Sequence, residues 1–203
     1  VAYDAMYDII NTDVASWYNG LTFPMKLKAF RDSFFAFFGI EQEEVSLVND
    51  SMEIERTIDV QVLSGRDVIQ SICEINGCFG HIGRDGKLKY VILDNTSEYT
   101  ISNYKPATYE DFETQAISRL QIRQEENDIG VVVGNGDNCY IIQDNFLVYG
   151  KGTTELTSIA NNIYSIISNV VYRPFDADVV GNPCIEVGDN VRLHTKYQII
   201  DSY

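Results

Sequence analysis

The chain has 203 residues, 45% of them hydrophobic and 12% aromatic, which excludes a disordered segment and leaves room for one large domain or two small ones. Thirty acids against 15 bases give a formal charge of −15. Such a surface repels phosphate backbones and anionic headgroups, which argues against a nucleic-acid reader or a membrane binder.

No apolar run is long enough to span a bilayer, and no basic region leads into an apolar stretch at the start. The chain opens at Val1 and stops inside a strand-like run at Tyr203, so it is expected to be a piece of a longer polypeptide.

Tyr3, Met6, Tyr7, Ile10, Val14 and Trp17 trace one helical stripe to about Tyr18, ended by Asn19-Gly20. After Pro24, Leu27, Phe30, Phe34, Phe37 and Phe38 make a second stripe before Gly39. Core packing explains so many phenylalanines better than a ligand pocket does. Residues 43–48 and 52–58 are expected to be strands around the turn Asn49-Asp50-Ser51. The acids Glu41, Glu43 and Glu44 beside them make a solvated edge, with nothing near to raise a pKa.

The stretch from Leu63 to Leu93 is the most sharply specified. Ser64 stands three residues before Asp67 as an N-cap, and Val68, Ile69, Ile72, Cys73 and Ile75 cover one apolar face. Asn76-Gly77 supplies a left-handed stop. Runs 78–82 and 87–93 then flank Gly83-Arg84-Asp85-Gly86, which predicts a hairpin.

From Asp94 to Phe112 the sequence turns polar, and 96–115 is expected to be a linker, its tyrosines 99, 104 and 109 packing along a surface. Ile117 to Arg123, 129–133 and 139–142 are short strands. The glycines of Gly134-Asn135-Gly136-Asp137-Asn138 make a hairpin turn and no phosphate loop, because no Lys-Ser/Thr and no helix follows. The segment 146–149 is apolar. Leu156, Ile159, Ala160, Ile163, Tyr164, Ile167 and Val170 form the core stripe of a helix over 154–170. A strand over 171–180 contains Arg173-Pro174, so it is an edge or carries a bulge. Turns at Asn182-Pro183 and at 186–189 lead into strands 191–195 and 197–202.

The fold class is therefore α+β. A helix-hairpin α+β module covers 1–95, a linker 96–115, and a β-rich, barrel-like module with one packed helix 116–203.

Groups for catalysis are hard to assemble. There is no G-x-S-x-G, no H-E-x-x-H and no cysteine with an evident histidine partner. His81 and His194 sit in expected strands, far apart. Asp176 with Asp178, or Asp137 with Asp189, could hold a hard cation, but none makes the spaced acidic loop of a calcium hand and solvated turn acids explain them far better. Of the four cysteines, 73, 78, 139 and 184, only Cys73 and Cys78 with His81 approach a metal pattern, and Cys73 on an apolar helix face is expected to be a buried free thiol. A chain of this size needs no disulfides, which suits a reducing site of assembly. No catalytic, cofactor-binding or metal residue is assigned, and no cofactor is expected.

Two passages carry a family resemblance. One is Phe79-Gly80-His81-Ile82 followed by Asp85-Gly86-Lys87-Leu88. The other is Tyr172-Arg173-Pro174-Phe175 followed by Gly181-Asn182-Pro183-Cys184-Ile185-Glu186-Val187-Gly188-Asp189-Asn190-Val191. In this order, across nearly the whole chain, they resemble the tail-hub proteins of phages and prophages. The resemblance implies a structural protein of the virion tail, made in the host cytoplasm, that acts by assembly and not by catalysis. It implies a trimeric ring at the tail tip or baseplate, joining the tube and distal tail proteins to a spike or fibre. DNA would pass through that ring without being bound, and no membrane would be involved. The family usually starts with another barrel where this chain starts with a helix, so the fragment alone is expected to be monomeric or weakly associated. Edge strands form such rings, which makes Tyr172, Arg173, Phe175, Asp176, Tyr197 and Ile199 the candidate subunit interface. The alternatives are the non-catalytic part of a tail-associated cell-wall hydrolase and a carbohydrate-binding adhesin.

Overall fold

The structure is a computed structural model that describes residues 4–94 and 99–203. The opening stripe makes two helices, α1 (Ala5–Asn11) and α2 (Ala15–Asn19), and not one. Asp13 divides them. Its carboxylate accepts the backbone N–H groups of Ala15 and Leu63, each at 3.0 Å, so one short side chain opens α2 and ties it to the chain ahead of Ser64. Ile9, Val14, Trp17 and Tyr18 are buried while Tyr7 is exposed; Tyr3 lies outside the described residues.

In α3 (Leu27–Phe37) the buried face is Leu27, Phe30, Phe34 and Phe35, and Phe37 faces outward. The Trp17 ring lies 5.1 Å from those of both Phe30 and Phe34, so these aromatics are core. Of the two strands expected next, only β2 (Glu53–Ile54) forms, paired with β1 (Met25–Lys26). The reason lies in Arg31. Its guanidinium donates to both carboxylate oxygens of Asp50 at 2.8 Å, to the Val45 carbonyl at 2.8 Å and to Gln42 at 2.9 Å. Residues 43–48 are thus wrapped around a buried cation and form no strand, although the Glu43 N–H bonds the Leu88 carbonyl at 2.8 Å.

The central unit folds as its sequence predicts. In α4 (Gly65–Glu74) the Ser64 hydroxyl accepts the Asp67 N–H at 3.1 Å. The helix stops where Cys78 N–H bonds the Cys73 carbonyl and Gly77 N–H bonds that of Glu74, with Gly77 at φ +62. The hairpin β3 (Phe79–Ile82) and β4 (Leu88–Val91) follows.

The segment expected to link two modules instead carries strands β5 (Tyr99–Ile101) and β6 (Tyr104–Tyr109). Their partners come from the far end of the chain. β6 pairs antiparallel with β10 (Phe175–Val179), and β5 pairs parallel with β11 (Val191–His194), which also pairs with β12 (Ile199–Ser202). Polar Ser102 and Asn103, which suggested a linker, form the corner between two strands.

A third sheet has β7 (Arg119–Ile122) at its centre, antiparallel to β8 (Val131–Gly134) and parallel to β9 (Cys139–Ile142). The Gly-rich passage between β8 and β9 is therefore no hairpin turn. It crosses the end of β7, so close that a Cβ on Gly136 would lie 2.0 Å from the Ser118 hydroxyl. That crossing, and not phosphate binding, requires the glycines. Helix α5 (Thr153–Ile167) lies on β7 and β8 and buries Leu156, Ile159, Ala160 and Ile163.

The fold is α+β. The strands of the second half are shared among sheets of two or three strands, and among the described residues none closes into a barrel. One hydrophobic core runs from Ile9, Trp17 and Phe30 through Ile72 to Leu120, Ile122, Phe146 and Ile163, on both sides of the expected linker at 96–115, while Val191, Leu193 and Ile200 of the β5–β11–β12 sheet are buried outside it. Polar pins secure the seam. Asn49, 3% exposed, takes a bond at 2.9 Å from Asn162 on α5, while its N–H bonds Asn76 at 3.1 Å.

Candidate assembly surface

The two passages behind the family resemblance meet in space. The Glu186 carboxylate accepts from Lys89 Nζ at 2.6 Å and from Arg84 Nε at 3.0 Å, fastening the 182–189 turn to the β3–β4 hairpin. Gly188, at φ +94, crosses Val91 so closely that a Cβ would stand 2.2 Å from Val91 Cγ1. This turn needs a glycine because its backbone packs on a side chain. The Lys89 hydrogen bond, then the Arg84 N–H, hold the Glu186 carboxyl at about 2, below the usual 4.5.

A depressed carboxylate pKa stabilises above the unfolded value, so the clasp is complete above pH about 4.5 and is lost as pH falls toward 2. Hydrogen exchange at 182–189 and 84–89 is expected to accelerate across that window. Glu186→Gln should already exchange fast at neutral pH, with no further acid step. An acid step of unchanged size in the variant would assign it to another carboxylate.

The six candidate interface residues do not form one patch. Tyr172 packs edge-on against Tyr203 at 5.5 Å, and its backbone bonds Thr114 in both directions. Arg173 donates to Gln198 at 3.1 Å and pairs with Glu113 at 3.7 Å. Both line a cleft of about 310 Å³ with Ile199, so the structure brings these three together. Phe175 and Asp176 lie on β10, opposite Tyr109 and Thr108 of β6. Tyr197 sits in the turn before β12, 82% exposed, and Ile199 is 59% exposed. Pro174 precedes β10 rather than interrupting it, the register shift falls between Ala177 and Val179, and the strand is shorter than the expected 171–180. Its sheet has two strands, so β10 is an edge.

Sequence reasoning missed an apolar groove. Two adjoining hollows of about 450 and 390 Å³ share Gly77, Cys78, Phe79, Ile117, Tyr140 and Ile167. These residues come from α4's end, β3, the segment before β7, β9 and α5, which no local pattern could bring together. Val180 and Val187 are also exposed, and periodicity alone placed them in ordinary strands and turns.

Among the described residues no group of three or more His, Cys, Asp or Glu side chains is placed to hold a metal ion. Asp189 accepts the Glu186 N–H at 2.7 Å, a turn role. His81 stands opposite Lys89 in the hairpin, and His194 opposite Ile199. No described helix is long and apolar enough to cross a membrane.

No protein-family model matches the chain, and no curated protein matches it in sequence. Its fold has solved counterparts. The 43 kDa tail protein of prophage MuSo2 from Shewanella oneidensis is similar over 98% of this chain, with TM-score 0.55 and 12% identity. The tail protein from Neisseria meningitidis MC58 is similar over 95% of this chain and 61% of its own length, with TM-score 0.46 and 12% identity. The chain spans 62% of the length of the MuSo2 protein. The MuSo2 likeness establishes a shared fold.

Proposed function

We propose that the chain is part of a phage or prophage tail protein that acts by assembly, at the tail tip or baseplate hub. The likeness to the MuSo2 tail protein along 98% of the chain carries this reading. The longer polypeptide forms a homotrimeric ring between the tail tube with its distal proteins and a spike or fibre. Tyr197 and Ile199, exposed large apolar side chains, are the contacts between subunits, and Tyr172 and Arg173 brace them from beneath. The acidic surface, 30 acids to 15 bases, faces a lumen through which DNA slides without phosphate pairing. No observation favours a hydrolase or an adhesin.

Gold-labelled antibody against residues 1–203 tests the location. Label at one end of purified virion tails is expected. Label along the tube, or its absence from intact virions, would refute a tip position.

A further inference from the structure

The turn that ends α4 sets two thiols side by side. In turns of this kind, a side chain one turn before the helix end meets the one just past the left-handed residue, usually as an apolar contact. Here those positions are Cys73 and Cys78. Cys78 N–H bonds the Cys73 carbonyl at 3.1 Å, and the Cys78 thiol donates to the same oxygen at 3.7 Å, which holds its sulfur against the Cys73 residue. Gly80 opposite has no side chain, and a methyl there would stand 3.6 Å from Cys73 Sγ. Both cysteines line the open groove of about 450 Å³, Cys73 buried and Cys78 half-buried. A disulfide needs Cβ atoms roughly 3.5–4.5 Å apart, so bridging requires the two side chains to turn toward each other across this contact.

We propose that Cys73 and Cys78 form a thiol–disulfide exchange site, open to small-molecule disulfides through the groove. The Cys78 thiolate attacks one sulfur of the reagent, its S–S bond breaks, and the first thiolate leaves to take a proton from water. Cys73 then loses its proton and attacks Cys78 Sγ, expelling the second thiolate. One protein S–S bond replaces two S–H bonds, and the reagent is reduced to two thiols. The order follows from the environment. Contact with the Cys78 thiol, then burial, raises the Cys73 thiol well above the usual range and keeps it protonated while Cys78, half-buried on the groove, makes the first attack. Once Cys78 is in the mixed disulfide, that contact with its thiol is gone. The site does not depend on the tail reading.

The test treats the folded chain with oxidised glutathione and maps its peptides without reduction. The expected product lacks two hydrogens and is bridged between Cys73 and Cys78, while exposed Cys184 carries only a glutathione adduct. Cys73→Ser is expected to trap a lasting adduct on Cys78, and Cys78→Ser to leave Cys73 free. A wild-type chain that keeps an adduct on Cys78 beside a free Cys73, or that reacts at neither until urea is added, would overturn the proposal.

Discussion

Asp50→Ala is expected to lower the unfolding free energy by roughly 3–5 kcal/mol, read from urea denaturation. Asp50 takes two hydrogen bonds from Arg31 at 2.8 Å, and its Oδ2 also accepts the Leu47 N–H at 2.9 Å. Truncation leaves a guanidinium that is 2% exposed without its bidentate counterion and frees a backbone donor. The remaining acceptors, Gln42 and the Val45 carbonyl, are neutral, and the nearest other carboxylate, the half-exposed Asp32, stands 3.9 Å from Arg31 and cannot take the two lost hydrogen bonds. Most of the loss thus comes from the stranded Arg31, so Arg31→Met in the Asp50→Leu background should recover a large part of it. A loss below about 1 kcal/mol for Asp50→Ala would mean that water reaches Arg31 in solution.

Phe30→Ala is expected to be comparably severe, roughly 3–5 kcal/mol. Phe30 is fully buried, and its ring meets those of Trp17 at 5.1 Å, Tyr18 at 6.4 Å and Phe146 at 6.4 Å. Helix α2 and the 146–148 turn hold this site from different sides, which limits how far it can collapse around the lost ring. Because Phe146 belongs to the second half of the chain, amide exchange should quicken at 146–148 as well as in α2 and α3. An effect confined to residues 4–93 would show that the halves do not share one core.

What could be read from the sequence was local. The Ser64 cap, the Gly77 stop and the β3–β4 hairpin each rest on contacts within a few residues, and each formed; the α5 stripe is buried from Leu156 to Ile163, but the helix ends at Ile167, short of the expected 170. The misreadings share one physical origin, pairing at long range. Residues 99–109 look like a linker until the strands at 175–194 are present to take their hydrogen bonds. Asp13 breaks the opening helix because it also reaches Leu63, fifty residues away. Arg31 keeps 43–48 out of a sheet, and no periodicity announces a buried arginine. The groove around Cys78 and Tyr140 was hidden for the same reason. Of the interface set, alternation suggested that Ile199 lies on a strand, but only the fold shows Arg173 already engaged by Gln198 and Glu113.

Light scattering tests assembly, the central claim, most directly. The account predicts a homotrimer for the longer polypeptide and a monomer, or weak association, for residues 1–203. Tyr197→Asp with Ile199→Asp, placed at sites 82% and 59% exposed, should return the trimer to monomers without loss of fold. A longer polypeptide that stays monomeric at high concentration would contradict the account.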